Sequence, residues 1–137
     1  MLTKRVTYKN FDDVEVTETL YFNLTQSELM EMQYGTTGGL KEMIERIVDS
    51  KDNKMIMETF KTIIMKAYGE KSPDGKYLRK EGGELAKKFM DSAAYDAFLM
   101  ELFTSEKSMA DFINGILPKD IKQPEDHKVA VINQQNQ

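Results

Sequence analysis

The alternation of apolar and polar residues predicts two β-strands at the start of the chain. Val6 and Tyr8 alternate with polar neighbours, and apolar side chains then recur at nearly every second position in residues 14–24. Residues 10–13 lie between the two runs and carry turn-forming side chains, so a β-hairpin is expected over residues 3–24. Because an isolated hairpin is marginally stable in water, we expect downstream helices to cover it.

Apolar residues spaced three and four apart predict amphipathic helices throughout residues 26–117. A short helix through Leu29 and Met32 is expected first, and five apolar stripes follow it. The stripes are Leu40, Met43, Ile44, Ile47 and Val48; Ile56, Met57, Phe60, Ile63, Ile64, Ala67 and Tyr68; Leu85, Phe89 and Met90; Tyr95, Phe98, Leu99, Leu102 and Phe103; and Met109, Phe112, Ile113, Ile116 and Leu117.

Residues with capping chemistry indicate where these helices begin and end. Thr25 and Glu28 have the spacing of a capping box, and Gly69 suits the left-handed position after the third helix. Residues 72–75, Ser-Pro-Asp-Gly, predict a β-turn with a brief extended piece after it. The remaining predicted N-caps are Thr36 or Thr37, Asp52, Ser92 and Ser105, and Pro118 is expected to stop the last helix.

These patterns together predict an α+β fold that is mainly α. An N-terminal β-hairpin is expected to pack on a bundle of about five or six helices, and residues 1–118 are expected to form a single globular domain. The periodicity ends at Lys119, so residues 119–137 are predicted to be a flexible, disordered tail or linker. A brief apolar run in that tail, residues 129–132, is an alternative candidate for a docking segment.

Charge and composition narrow the classes of function. The chain of 137 residues has a net charge of −4, which argues against a general nucleic-acid binder because such proteins need a basic face. No cysteines are present, so disulfides and thiolate metal sites are excluded. Neither a signal peptide nor a membrane-length apolar run is visible, and we therefore expect the protein to stay in the cytoplasm of the cell that makes it.

The chain offers few groups for catalysis. Its one histidine, His127, lies in the predicted tail, where no scaffold would hold it in position. Asp12, Asp13 and Glu15 lie close together, but turn formation explains the two aspartates without a metal. No phosphate-binding loop or metal-ligand spacing occurs. The sequence therefore predicts a protein without enzymatic activity, cofactor or metal.

Methionines provide the candidate binding residues. Ten methionines are a high share for this length, and methionine adapts to irregular apolar partners. Three lie off the core stripes of their helices and are predicted to contact a partner: Met55, Met65 and Met100. Four fit core stripes, and burial explains them: Met30, Met43, Met57 and Met109.

The order of these signals resembles a known viral family. Small proteins encoded in the tail-gene region of phages infecting Gram-positive bacteria, taken to be tail assembly chaperones, show similar segments across roughly residues 4–119. The matching segments are residues 6–12, 22–25, 28–29, 38–40, 66–75, 94–102 and 112–118. These motifs are turns, caps and apolar stripes, so the resemblance carries over no functional residue.

The resemblance implies a role in virus assembly. It implies binding to the long tape-measure protein before tail-tube subunits polymerise, with the tail-tube protein as a further candidate partner and self-association left open. Such a protein would act in the host bacterial cytoplasm and be absent from the mature virion. In related systems a longer form arises by ribosomal frameshifting, and the tail after Lys119 lies where a linker would be expected.

Two other roles remain open at this point. A structural virion protein, such as a tail-completion or connector component, would have a similar size and would be present in purified particles. A phage inhibitor that binds a host protein is the second alternative, and small acidic proteins suit that role.

Overall fold

The N-terminal hairpin is present in a computed structural model, which describes residues 1–35 and 39–118. Strand β1, Leu2–Lys9, pairs antiparallel with strand β2, Glu15–Phe22, in an unbroken register. At the tip, the Asn10 side-chain oxygen accepts hydrogen bonds from the backbone N–H groups of Asp12 and Val14, at 2.9 and 3.0 Å. The tip residues therefore build a turn, as the sequence predicts.

The helical pattern is confirmed, with six α-helices in the described ranges. The α+β, mainly α fold is therefore as predicted. The helices are α1, Gln26–Gly35; α2, Gly39–Asp49; α3, Asn53–Ala67; α4, Glu84–Met90; α5, Ala93–Leu102; and α6, Glu106–Ile116. A single 3-10 turn, Glu81–Gly83, leads into α4.

Side-chain caps begin four of these helices. The backbone N–H of Glu28 donates to the Thr25 hydroxyl at 3.1 Å, and the Glu28 carboxylate accepts from the Thr25 backbone N–H at 2.8 Å, so the capping box is confirmed. Asp52, Ser92 and Ser105 each accept a backbone N–H bond at the start of α3, α5 and α6. The predicted cap at position 36 or 37 lies outside the described residues.

The sheet has two strands that the sequence did not predict as such. Strand β3, Tyr68–Lys71, pairs with the end of β2, and β4, Leu78–Arg79, pairs with β3, giving the order β1-β2-β3-β4. The predicted β-turn over residues 72–75 is confirmed, since the Gly75 N–H donates to the Ser72 carbonyl at 2.9 Å. The extended piece expected after it is β4.

The end of α3 corrects one prediction. Helix α3 ends at Ala67, and Tyr68 is already extended, with φ −67° and ψ 139°. Gly69 therefore lies in a strand and not in a left-handed helix cap. Its lack of a side chain has a different reason, because a Cβ at this position would come within 2.6 Å of Leu78 Cγ and 2.9 Å of the Arg79 carbonyl oxygen. Close approach of β3 and β4 requires the glycine.

The core joins the sheet to the helices around one aromatic ring. Phe22, fully buried at the end of β2, stacks on Phe98 with ring centroids 4.8 Å apart. It also meets Tyr68, Phe89 and Phe112 edge-on. Rings from β2, β3, α4, α5 and α6 thus share one cluster, and the helices cover the inner face of the hairpin as expected.

Two exposed valines correct the predicted stripes. Val14 precedes β2 and is exposed, and Val48, assigned to the apolar stripe of α2, is exposed near the end of that helix.

Within residues 1–35 and 39–118, no helix has the length and apolar character needed to cross a membrane.

Candidate partner-binding surface

Helix α1 has apolar side chains on two opposite sides. Met32 is buried and Leu29 packs partly against the core, whereas Met30 is 60% exposed and Tyr34 is 84% exposed. At 100° per residue, the exposed pair points roughly 150° away from the buried pair. The prediction that Met30 belongs to the core is therefore wrong. An apolar face directed to solvent is a candidate site for a partner.

A lysine fixes the start of α1 to the rest of the fold. Lys80 Nζ donates to Glu28 Oε2 at 2.7 Å, to the Asn23 carbonyl at 2.7 Å and to the Lys66 carbonyl at 2.8 Å. The same glutamate forms the capping box, so its two oxygens serve both the helix start and the ion pair. The outward side of α1 is thereby held in a defined position.

The three predicted methionines lie in different surroundings. Met55, near the start of α3, is 42% exposed, and Met100, on the side of α5 away from Phe98, is 68% exposed. Met65 packs partly against the core and offers less surface. Met55 and Met65 are separated by about 15 Å along the axis of α3, at 1.5 Å per residue. Met55 and Met100 are thus the exposed members of the predicted set.

Further exposed apolar residues lie on the helices next to α1. Helix α2 packs against both α1 and α3. The exposed apolar side chains of these three helices are Met30, Tyr34, Val48 and Met55, and are called the α1–α3 surface below. Sequence periodicity missed Met30 and Tyr34 because the apolar residues of α1 are spread around the helix and do not define one face.

The hairpin tip presents a separate aromatic side chain. Phe11 is 82% exposed and is followed by Asp12 and Asp13, in the turn that Asn10 stabilises. Sequence reasoning placed this phenylalanine in a turn without assigning it a role. This ring is a single exposed apolar side chain, whereas the α1–α3 surface has four.

A small cleft lies between β1, α5 and α6. It has a volume of about 100 Å³. Phe98, Leu102 and Phe112 contribute to its lining, and the ion pair between Lys4 and Glu101, 3.2 Å apart, lies at its edge. Sites for drug-sized ligands and cofactors measure about 300–1,000 Å³, so this cleft is too small for such a molecule.

The titration of the described side chains does not indicate acid–base catalysis. A hydrogen bond of 2.6 Å to Glu18, together with burial, raises the pKa of Tyr8 to about 12, and burial raises the pKa of Tyr68 to about 12. Burial also raises the pKa of Tyr95, whose hydroxyl has no hydrogen-bond partner within residues 1–35 and 39–118. Backbone and hydroxyl donors hold the pKa of Asp74 below its usual range. These shifts all move away from neutral pH, where proton transfer is most useful.

Metal-binding geometry is also absent from the part of the chain that the structure describes. No group of three or more histidine, aspartate or glutamate side chains there could hold a metal ion. His127 lies outside the described residues. Residues 1–35 and 39–118 do present exposed apolar and charged side chains.

A comparison with protein families decides the broad class. The model of the family described as phage tail assembly chaperone matches residues 1–137. The chain belongs to the phage tail assembly chaperone family. In two further comparisons, no curated protein and no solved structure matched the chain.

Membership of this family indicates which class of partner the chain has. A tail assembly chaperone acts on other phage tail proteins, and this class points to a non-catalytic function. The family motifs are distributed over turns and helix stripes, so membership does not select residues for binding. The exposed apolar side chains of α1–α3 are candidates for this contact.

Proposed function

We propose that the chaperone binds the tape-measure protein during tail assembly through the α1–α3 surface. The main support is the exposed pair Met30 and Tyr34, which points away from the core. Both residues lie on α1, whose start Lys80 anchors to the rest of the fold. Tyrosine and methionine are enriched at protein interfaces. An apolar helical face of this kind suits an amphipathic helix of a partner.

The physical requirement on the client supports this assignment. A tape-measure protein is long and helical, and its apolar stripes would aggregate if they were left uncovered before the tube forms around them. Several chaperones on one long chain would each contribute a modest affinity, and their joint effect would keep the chain soluble. The protein acts in the host bacterial cytoplasm and is absent from the mature virion, and the tail-tube protein is a further candidate partner.

Co-expression with the tape-measure protein tests the proposal. We expect a soluble complex on size-exclusion chromatography, and a double substitution, Met30→Ser with Tyr34→Ser, should weaken binding by about tenfold or more because interface anchors of this kind contribute over 1 kcal/mol each. Since both side chains are exposed, circular dichroism of the variant should be unchanged. Tyr77→Ser, at an exposed tyrosine on the turn before β4, is the matched control and should bind normally.

A second variant tests the methionines predicted from the sequence. Met55→Ser with Met100→Ser removes the two exposed members of that set. Because Met55 belongs to the α1–α3 surface, this variant should show weaker binding than the Tyr77→Ser control. A tape-measure protein that is equally insoluble with and without the chaperone would refute the proposed function.

Mass spectrometry of purified particles separates assembly from structure. The chaperone should be missing from finished phage, whereas a tail-completion or connector protein would be present in a fixed copy number. A pull-down from host lysate that recovers a host protein and no tail protein would instead favour the alternative of a phage inhibitor that binds a host protein.

A further inference from the structure

Strand β1 forms one edge of the sheet. Over the described residues it pairs with β2 on one side, and no strand lies on its other side. The strand is eight residues long, its register is unbroken, and it contains no proline. Proteins commonly shorten, bulge or interrupt exposed edge strands, because a free row of N–H and C=O groups can pair with another strand. This edge is continuous enough to accept one.

The direction of the free backbone groups follows from one hydrogen bond. The Asn23 N–H donates to the Ala67 carbonyl at 2.9 Å, so the backbone groups of Asn23 point toward β3. Because this direction alternates along a strand, the odd-numbered residues of β2 also direct their N–H and C=O groups toward β3 and away from β1. The residues opposite these on β1 must then direct theirs away from β2. The register identifies them as Thr3, Arg5, Thr7 and Lys9, all exposed, and they define the free edge.

The free edge is basic on an acidic protein. Arg5 and Lys9 lie on the outer face, and neither forms an ion pair with any residue in the part of the chain that the structure describes. Lys4 lies on the inner face, where Glu101 neutralises it at 3.2 Å. Strand β1 contains no acidic residue, although the whole chain carries a net charge of −4.

This charge pattern selects among the kinds of strand that can pair with the free edge. A second copy that used its own β1 would place two basic strands side by side, and like charges across strands are destabilising. Strand β1 supplies no carboxylate of its own, and the one acidic register partner on the outer face of β2, Glu15, lies opposite Lys9 only. An acidic strand would gain both backbone hydrogen bonds and ion pairs. Arg5 and Lys9 are four positions apart on one face, so the complementary strand needs two carboxylates with the same spacing.

We propose that the free edge of β1 binds an extended acidic segment of a partner protein by β-strand addition, with carboxylates opposite Arg5 and Lys9. Backbone pairing supplies the affinity in this mode, and the side chains supply the selectivity. The proposal goes beyond binding at the α1–α3 surface, since it uses a different part of the molecule and an extended partner in place of a helical one.

A synthetic peptide provides the probe. The sequence Thr-Glu-Val-Thr-Val-Glu-Thr, blocked at both ends, carries two glutamates with the required spacing and high strand propensity. In amide hydrogen exchange measured by NMR on the full chain, the peptide should slow exchange at the four residues of the free edge. A peptide with glutamine in place of both glutamates should bind roughly tenfold more weakly, as expected for two cross-strand ion pairs.

Charge reversal is the matched control. The double substitution Arg5→Glu with Lys9→Glu should lose the glutamate peptide and bind the corresponding lysine peptide instead. Because both side chains are exposed, the variant should keep its circular dichroism spectrum. Met30→Ser with Tyr34→Ser should bind the glutamate peptide normally, so failure at one surface is distinguishable from failure at the other.

Three results would overturn the proposal. The first is equal binding of the glutamate and glutamine peptides, and the second is unchanged exchange at the free edge with saturating peptide. The third is slow exchange at these amides in the protein alone. If that protection rises with protein concentration, a second copy occupies the edge, and if it does not, the chain's own residues cover it.

Discussion

At the scale of single residues, Lys80 joins three segments that are far apart in the sequence. Its ammonium group donates to the end of β2, to the end of α3 and to the capping glutamate of α1. The side chain is 17% exposed, so water replaces little of this bonding if the ammonium is removed. Charged hydrogen bonds in such places contribute more than surface ion pairs.

Lys80→Met should destabilise the protein by about 2–3 kcal/mol, because it leaves the Glu28 carboxylate and two carbonyls without their donor. Urea denaturation followed by circular dichroism measures the change. Lys87→Met is the control, since its ion pair with Glu84 is exposed and 3.7 Å long, and it should cost less than about 0.5 kcal/mol. Equal effects of the two substitutions would contradict the role assigned to Lys80.

Two tyrosines give the protein a pH dependence on the alkaline side. The pKa values of Tyr8 and Tyr68 are raised from 10.0 to about 12. A folded-state pKa above the unfolded value means that folding favours the protonated phenol. Below pH 10 these two groups therefore give the free energy of unfolding no pH dependence. As pH rises from 10 to about 12, the free energy of unfolding should fall.

Glu18→Gln should lower the pKa of Tyr8 toward 10.0, because the carboxylate that accepts the phenol hydrogen bond is its main cause. A titration of phenolate absorbance, compared with that of Tyr8→Phe, measures the shift. Glu15→Gln changes a nearby carboxylate outside this hydrogen bond and should leave the Tyr8 titration unchanged. A Tyr8 titration that is insensitive to Glu18→Gln would show that another group raises its pKa.

At the scale of elements, the regular spacing of apolar residues predicted the helices well, whereas it did not reveal the short strands. Helices α3, α5 and α6 and the caps Thr25, Asp52, Ser92 and Ser105 are where the sequence predicts them, although Tyr68, the last residue of the α3 stripe, lies in β3. Strands β3 and β4 have four and two residues, too few to show an alternating pattern. They form because β2 and the turn hold them, a tertiary cause that local pattern does not reveal.

Gly69→Ala should destabilise the protein by about 1–3 kcal/mol, because the new methyl group would overlap Leu78 and the Arg79 backbone across the two strands. Thermal and urea unfolding both measure the loss. Gly35→Ala is a matched control at the end of α1, where a Cβ would meet nothing within 4 Å, and it should be neutral or slightly stabilising. A neutral Gly69→Ala would mean that β3 and β4 separate easily.

The candidate surface was only partly predictable for the same reason. The sequence identified Met55 and Met100 as positions outside the core stripes, and both are exposed. It assigned Met30 to the core and gave Tyr34 no role, because the side of α1 that meets the protein depends on the tertiary contacts of Leu29 and Met32. Exposure of one face of a weakly patterned helix is a property of packing.

At the scale of the whole molecule, the buried apolar residues run from Val6 to Leu117. The first strand and the last helix meet directly, since a Cβ on Gly115 would lie 2.8 Å from Leu2 Cδ1. The segment after β2 also reaches this helix, because the Leu24 N–H donates to the Ile116 carbonyl at 2.8 Å. The core thus connects the two ends of residues 1–118. The predicted tail, residues 119–137, lies outside the described residues.

A protein shortened to residues 1–118 should therefore fold with nearly the stability of the full chain. Its circular dichroism spectrum and its urea midpoint should agree with those of the full chain, because every described core contact is retained. A further shortening to residues 1–105 removes α6 and should abolish cooperative unfolding. Loss of cooperativity already at residue 118 would contradict a single domain over residues 1–118.

The contact between Leu2 and Gly115 also determines when the protein can fold on the ribosome. The hairpin is synthesised first, but α6 emerges about ninety residues later, a delay of roughly 5–18 s at usual elongation rates. Until then Phe22 lacks the ring of Phe112 that covers it. Nascent chains arrested before residue 106 should consequently be protease-sensitive throughout the hairpin, and protection should arrive in one step once α6 has left the exit tunnel.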